Sequence, residues 1–188
     1  MATILVPLPR IDFDPTEAGV PWRVLTEAGH AFVFATPDAA PAQADPRMLH
    51  GTGLGLLAPV LRAQGNAVAD HDRMAQSAAY RAPIAWADIA DGLASDRFDA
   101  LLLPGGHAPG MREYLESVPL QSAVAAFFER DRPVAAICHG TVLAARNGGF
   151  HFKFVDQAWR DTRDGVDFFV RLSDEASRQA GKPLSFVA

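Results

Sequence analysis

Cys138 is the only cysteine of the 188-residue chain, and its sequence context suits a nucleophile. The uncharged apolar run at 133–137 precedes it, as expected for a strand buried on both faces. His139 and Gly140 follow it, before a helix-like stretch at 141–146. A strand that turns sharply into a helix in this way is typical of a nucleophile elbow, whose central residue is strained and exposed. The alternative is that Cys138 is a small buried hydrophobe, as most lone cysteines are.

The predicted helix after the elbow bears on the ionisation of the thiol. A helix N-terminus favours an anion, so we expect the pKa of Cys138 to lie below the usual value of about 8.5. His139 is a candidate base for the thiol, although neighbouring side chains across a turn often point apart. His107 is a candidate for lining the pocket instead.

A glycine-rich loop, Gly105-Gly106-His107, follows a predicted strand at 98–103. Open parallel sheets bind ligands at the carboxyl ends of their strands, so this loop and the elbow are expected at the same edge. The backbone amides of the two glycines, with the amide of His139, would form an oxyanion hole. We also place Gly140 at this substrate-binding edge, because the turn there needs the room that glycine leaves. The alternative is a strand-to-helix turn that binds no ligand.

Glu17 is the candidate acid. Asp14-Pro15-Thr16-Glu17 fits a helix start, with Asp14 as cap and Glu17 at the third helical position, so a capping role is one interpretation. The other places Glu17 in the first strand-to-helix loop, on the edge that carries Cys138, where its carboxylate would hydrogen-bond the thiol or exchange a proton with it.

Composition narrows the classes of partner. The net charge of -5 and the pI of about 5.6 argue against nucleic acid or an anionic membrane as the main partner. One cysteine excludes an internal disulfide, and the first residues lack the pattern of a signal peptide, so we expect a cytoplasmic protein. The chain has no Cys-x-x-Cys or His-x-x-x-His pair, so we expect no metal site.

The hydrophobic pattern alternates between strands and helices. It predicts strands at 3–6, 30–35, 98–103 and 133–137, a loop at 11–15, and helices at 16–28, 48–64, 75–89 and 119–130. Pro21 either kinks the first helix or marks its true start. Uncharged strands alternating with helices indicate one α/β domain with a mostly parallel sheet. Residues 41–94 are expected to be an insertion on a simpler core.

Three segments, 14–37, 98–111 and 132–140, resemble the ThiJ/PfpI superfamily, which has the type 1 glutamine amidotransferase-like fold. The resemblance extends to about Arg146 and implies a flavodoxin-like three-layer sandwich, commonly dimeric, so a homodimer is expected. It implies that Cys138 is the nucleophile, Glu17 the acid that contacts it and His139 the residue after it. By the same resemblance Gly106 and His107 belong to the oxyanion loop.

The superfamily includes glyoxalases that convert methylglyoxal to lactate without a cofactor, peptidases, chaperones and oxidation sensors. We therefore expect a cofactor-free cysteine enzyme that acts on a small reactive carbonyl compound. The alternatives are a peptidase or amidase that uses the same thiol, and a redox-sensing or chaperone-like protein without turnover. Residues 147–188, with a predicted helix at 166–178, do not match the superfamily, so a third catalytic residue is not identified.

Overall fold

A five-stranded parallel sheet organises the chain. The computed structural model describes residues 1–55, 58 and 62–146. The elements in chain order are β1 (Thr3–Pro7), β2 (Ile11–Phe13), α1 (Pro15–Glu27), β3 (Ala31–Thr36), β4 (Gln43–Ala44), α2 (Pro46–His50), α3 (Gly65–Gln76), α4 (Ala78–Arg81), β5 (Ile84–Ala85), a 3₁₀ turn (Trp86–Asp88), α5 (Ile89–Ala94), β6 (Ala100–Leu103), α6 (Met111–Leu115), α7 (Val118–Glu129), β7 (Val134–Ala136) and α8 (Gly140–Ala145). The sheet order β5-β3-β1-β6-β7 confirms the expected flavodoxin-like three-layer α/β fold.

The central strands form because their residues are apolar on both faces. β1 pairs with β3 through Leu5 and Val33 and with β6 through Leu5 and Leu101, both in parallel. Leu5 and Leu103 are completely inaccessible to solvent, as parallel strands covered by helices require. Because all strands of this sheet run the same way, their carboxyl ends, with the loops after β1, β6 and β7, meet at one edge.

The predicted elements of the core are confirmed with shifts of at most two residues at their ends, and the region at 41–94 differs more. The expected loop at 11–15 instead contains β2, which pairs with β4 in a separate two-stranded sheet. The helix predicted at 48–64 ends early, because Gly51 has a φ of 73° and closes α2 in the left-handed conformation. The helix α3 was not predicted, since its sequence has few apolar residues.

Helix α1 carries the candidate acid. Asp14 caps it, accepting hydrogen bonds from the amides of Thr16 (2.7 Å) and Glu17 (3.3 Å). The helix begins at Pro15 and continues through Pro21, so the interpretation that it begins at Pro21 is wrong. Pro15 is tolerated because the first helical amide has no partner within the helix.

Among the described residues, β7 is an edge strand of the sheet and pairs with β6 alone. Ala135 is exposed, and Val134 and Ala136 are only partly buried, so the prediction of a strand buried on both faces is wrong for the described part of the chain. An apolar run alone does not distinguish an edge strand from a central one. The stretch 147–188, which was expected not to match the superfamily, lies outside the described residues, as does the helix predicted at 166–178.

No helix among the described residues is long and apolar enough to cross a membrane.

Candidate active site

Cys138 occupies a strained turn between β7 and α8. Its φ is 51°, a left-handed conformation that non-glycine residues seldom adopt. The turn is held by hydrogen bonds from the amide of Gly140 to the carbonyl of Ile137 (2.8 Å) and from the hydroxyl of Thr141 to the carbonyl of Cys138 (2.6 Å). The cysteine is exposed. The sharp, strained strand-to-helix turn expected at Cys138 is therefore present, and its thiol is accessible from solvent.

Gly140 makes this turn possible through close packing. A Cβ atom at Gly140 would overlap the carbonyl oxygen of Leu103, the last residue of β6. The amide of Gly140 donates within the turn to Ile137, so it is not free to bind a substrate. Gly140 therefore contributes by letting the elbow approach β6. Because its amide is already bonded within the turn, this geometry gives no support to the prediction that Gly140 binds the substrate.

Glu17 faces the elbow. Its Oε2 accepts a hydrogen bond of 2.7 Å from the amide of Gly105, and its carboxyl group also hydrogen-bonds with Cys138. The amide of Asp14, which a capping-box glutamate would bind, donates instead to the carbonyl of Gly105 (2.9 Å). The capping interpretation of the Glu17 side chain is therefore wrong. Burial, and after it the charge of Asp14, raise the pKa of Glu17.

The loop after β6 is built around this carboxyl group. A Cβ atom at Gly105 would lie 2.6 Å from the amide nitrogen of His139 and 2.9 Å from Oε2 of Glu17, so only glycine fits between the elbow and the acid. Since its amide donates to Glu17, Gly105 does not supply the expected oxyanion donor. The amide of Gly106 has no hydrogen-bond partner among residues 1–55, 58 and 62–146, and in the same part of the chain no backbone carbonyl accepts from the amide of His139. These two amides remain the candidate oxyanion donors.

Two histidines contact the thiol at the same distance. Sγ of Cys138 lies 3.5 Å from Nε2 of His107 and 3.5 Å from Nδ1 of His139. The two imidazole rings meet edge to face, with centroids 5.1 Å apart and planes at 90°. The sequence suggested His139 as the base and His107 only as a pocket residue. The structure places both within reach of the thiol proton.

The surroundings of Cys138 make its thiol harder to ionise than the sequence predicts. Burial, followed by the charge of Glu17, raises the pKa of Cys138 to about 11, whereas we expected a low value. The helix that was to stabilise the thiolate, α8, has only six residues, and a carboxyl group on α1 lies beside the sulfur. The amide of His139 opposes these effects without overcoming them. At neutral pH the free thiol is therefore almost entirely protonated.

Tyr114 is a site residue that the sequence did not indicate. It lies on α6 and is completely buried, and its hydroxyl group has no hydrogen-bond partner in the described part of the chain. Burial and the charge of Glu17 raise the pKa of Tyr114, which places the ring close to the acid. Its sequence context, Met-Arg-Glu-Tyr-Leu, is that of an ordinary helix and gave no signal.

The chain is similar in sequence to a known protein family. A family model described as ThiJ/PfpI family-like matches residues 8–151, about three quarters of the chain. The chain belongs to the ThiJ/PfpI-like family. The match contains the acid on α1, the glycine loop after β6 and the elbow, so all the candidate site residues lie inside it.

Solved structures show the same fold at low identity. The ThiJ/PfpI domain protein from Brachyspira murdochii is 17% identical with a TM-score of 0.51, over 77% of this chain and 63% of that one. A two-domain protein from Anabaena variabilis, containing DJ-1/ThiJ/PfpI-like and ferritin-like domains, is 20% identical with a TM-score of 0.50, over 77% and 33%. These likenesses support the fold and carry no substrate with them.

A second similarity concerns a shorter stretch. Forty-six residues, 24% of the chain, are 59% identical to the iron-sulfur cluster assembly protein CyaY from Paraburkholderia phytofirmans. The protein of the same name from Burkholderia mallei is 56% identical over 46 residues. The chain spans less than half the length of these curated relatives, 44% and 43%. It therefore combines extensive similarity to the ThiJ/PfpI-like family with a short, close similarity to CyaY.

Proposed function

We propose that the protein is a cofactor-independent enzyme that uses Cys138 to convert a small 2-oxoaldehyde, such as methylglyoxal, into the corresponding 2-hydroxy acid. The observation that carries the proposal is the exposed thiol on a strained turn, 3.5 Å from each of two imidazole nitrogens and hydrogen-bonded with a half-buried carboxyl group. A nucleophile, two bases and an acid are thereby within reach of one small carbonyl compound.

The first step is addition. The sulfur attacks the aldehyde carbon, a C–S bond forms, and the carbonyl electron pair moves onto oxygen, which takes a proton to give a hemithioacetal. The amides of Gly106 and His139 are placed to stabilise the negative oxygen. The raised pKa of Cys138 means that a base has to remove the thiol proton as the bond forms, and His107 and His139 are both positioned for this.

The second step is an internal oxidation and reduction that needs no external reagent. A base removes the proton from the former aldehyde carbon while the neighbouring carbonyl oxygen takes a proton, which gives an enediol. The enediol takes a proton at the neighbouring carbon, and the hydroxyl group on the former aldehyde carbon loses its proton to become a carbonyl. The product is a thioester of the 2-hydroxy acid on Cys138. Water then attacks the thioester carbon, the C–S bond breaks, and the thiol regains its proton. One substrate and one water give one hydroxy acid. Burial raises the pKa of Glu17, which makes it a stronger proton acceptor than an ordinary carboxylate and suits it to take up and return the transferred proton.

Loss of methylglyoxal and formation of lactate by the full chain, at equal protein concentration, test this proposal. We expect turnover in the parent protein, none in Cys138→Ala, and a fall of about 10²- to 10⁴-fold when the histidine that acts as base is removed. His107→Ala and His139→Ala measured separately assign that role. His50→Ala is the matched control, because His50 is exposed on α2 and lies outside the cluster of Cys138, His107 and His139. Methylglyoxal consumption that is unchanged in Cys138→Ala would overturn the mechanism.

Two other outcomes would assign the same thiol differently. An acyl-enzyme of the expected added mass on Cys138 after incubation with peptide or amide substrates, without lactate formation, would indicate a hydrolase. Stable addition of two oxygen atoms at Cys138 under peroxide, in a protein without turnover, would indicate an oxidation sensor. Intact-mass measurement distinguishes both from the hemithioacetal pathway.

A further inference from the structure

The thiol and the two imidazoles form a cluster whose geometry suits a metal ion. Sγ of Cys138, a ring nitrogen of His107 and a ring nitrogen of His139 all lie within 4.8 Å of one another. Both sulfur–nitrogen separations are 3.5 Å. No other group of three histidine, cysteine or acidic side chains in the described residues has its ligand atoms this close.

These separations match those between the ligands of tetrahedral zinc. With Zn–S of about 2.3 Å, Zn–N of about 2.0 Å and the tetrahedral angle, two ligand atoms on one ion lie about 3.5 Å apart. Both observed sulfur–nitrogen separations have this value, and the two ring nitrogens lie within 4.8 Å of each other, compared with about 3.3 Å for two nitrogens on one tetrahedral ion. The turn holds Cys138 where its Sγ already contacts both rings, which lowers the entropic cost of collecting the ligands.

We propose that Cys138, His107 and His139 bind a Zn²⁺ ion through one sulfur and two nitrogens, with a fourth position left for water. Thiolate and imidazole are the ligands that borderline-soft ions such as Zn²⁺ prefer, whereas Mg²⁺ and Ca²⁺ prefer oxygen. The exposure of Cys138 and His107 gives the ion a path to the site from solvent. Binding replaces the thiol proton, which passes to solvent. Sequence spacing did not predict the site, because His107 is 31 residues from Cys138 on a different loop.

The bound ion has a functional consequence at the elbow. It occupies the electron pair of sulfur that would attack a carbonyl carbon and both imidazoles that would take its proton. Zn²⁺ therefore inhibits any reaction that needs the free thiol, whichever substrate the protein acts on. This inference does not depend on methylglyoxal turnover, and its test contains no substrate.

Titration of the full chain with Co²⁺ tests the inference directly, because cobalt bound to a thiolate has a charge-transfer absorption that imidazole or carboxylate sites lack. We expect a single equivalent to produce this band together with the visible bands of tetrahedral cobalt, and Zn²⁺ to displace it. Cys138→Ser should abolish the charge-transfer band. His107→Ala and His139→Ala should each weaken binding by roughly 100-fold or more, since loss of outer partners of metal ligands already costs 10- to 100-fold.

A protection measurement gives a second readout that does not rely on spectra. Stoichiometric Zn²⁺ should slow alkylation of Cys138 by iodoacetamide in the parent protein, and this protection should be lost in His107→Ala. The control His50→Ala should behave as the parent in both experiments. Circular dichroism identifies any variant that fails to fold. If His139→Ala fails to fold, His107→Ala still tests the proposal, because His107 is an exposed loop residue. Absence of the charge-transfer band in the parent protein, or a band of equal affinity in His107→Ala and His139→Ala, would overturn the proposal.

Discussion

Replacement of Glu17 by glutamine isolates the effect of one charge on the thiol. The glutamine side chain would keep an oxygen that accepts from the amide of Gly105, so the loop after β6 should retain its position. The charge that raises the pKa of Cys138, second only to burial, would be removed. Although its own pKa is raised, Glu17 is ionised where a thiol of pKa about 11 titrates, so its removal should lower the pKa of Cys138.

The size of the effect follows from Coulomb's law with a discount for solvent. Two unit charges about 4 Å apart interact by about 4 kcal/mol near a protein surface and by about 1 kcal/mol in water. Because Cys138 is exposed, we take a value near the lower limit, about 1.4 kcal/mol, which corresponds to a tenfold change in ionisation. The pKa of Cys138 should therefore fall by about one pH unit. The thiolate becomes tenfold more abundant at pH 7.5 and about threefold less nucleophilic, so alkylation should become about threefold faster.

The rate of alkylation of Cys138 by iodoacetamide is measured from pH 6 to the alkaline limit of folding. This profile gives both the pKa of Cys138 and its alkylation rate at pH 7.5. The control is Glu129→Gln, which removes the same charge from the exposed end of α7. An equal change in both variants would show that only net charge matters. An unchanged or higher pKa of Cys138 in Glu17→Gln would refute the reasoning, because it would mean that Glu17 holds its proton while the thiol ionises.

Three further substitutions test the packing around the site by urea unfolding. Gly140→Ala should lower the free energy of unfolding by at least about 1–3 kcal/mol, because the new methyl group overlaps the carbonyl of Leu103; equal stability would contradict this. Gly19→Ala should destabilise the protein by a similar amount, since its Cβ would lie 2.7 Å from the amide nitrogen of His71 on α3. A gain in stability from helix propensity would show instead that α3 moves to make room for the methyl group. Tyr114→Phe should raise the free energy of unfolding by about 1 kcal/mol, because its buried hydroxyl lacks a partner among the described residues; a loss of that size would reveal one.

The family match shows which family the chain belongs to, and the geometry of the site shows which groups lie near the thiol. Membership of the ThiJ/PfpI-like family rests on a match over residues 8–151, and the thiol on its strained turn is described directly. Because one fold supports many chemistries, the reaction depends on the groups around Cys138 and not on family membership. The short similarity to CyaY covers 24% of the chain.

The local sequence was sufficient to predict the central strands, the elbow and the cap of the first helix. Apolar runs predicted the central strands because burial on both faces excludes polar residues, and Cys-His-Gly after such a run predicted the elbow because a sharp turn needs glycine beside it. Asp14 was predicted as a helix cap because capping depends on residues only two and three positions away. Each of these features is decided within one short segment of the chain.

Only the tertiary structure decided how the site is charged and connected. The side chain of Glu17 had two plausible partners, and contact with Gly105, 88 residues away, selected one of them. His107 reached the thiol as closely as His139 because β6 and β7 are neighbours in the sheet. The pKa of Cys138 rises because burial and a carboxyl group from another element act on it, and pKa depends on distance in space. Sequence therefore specified which groups were available, and packing specified which of them interact.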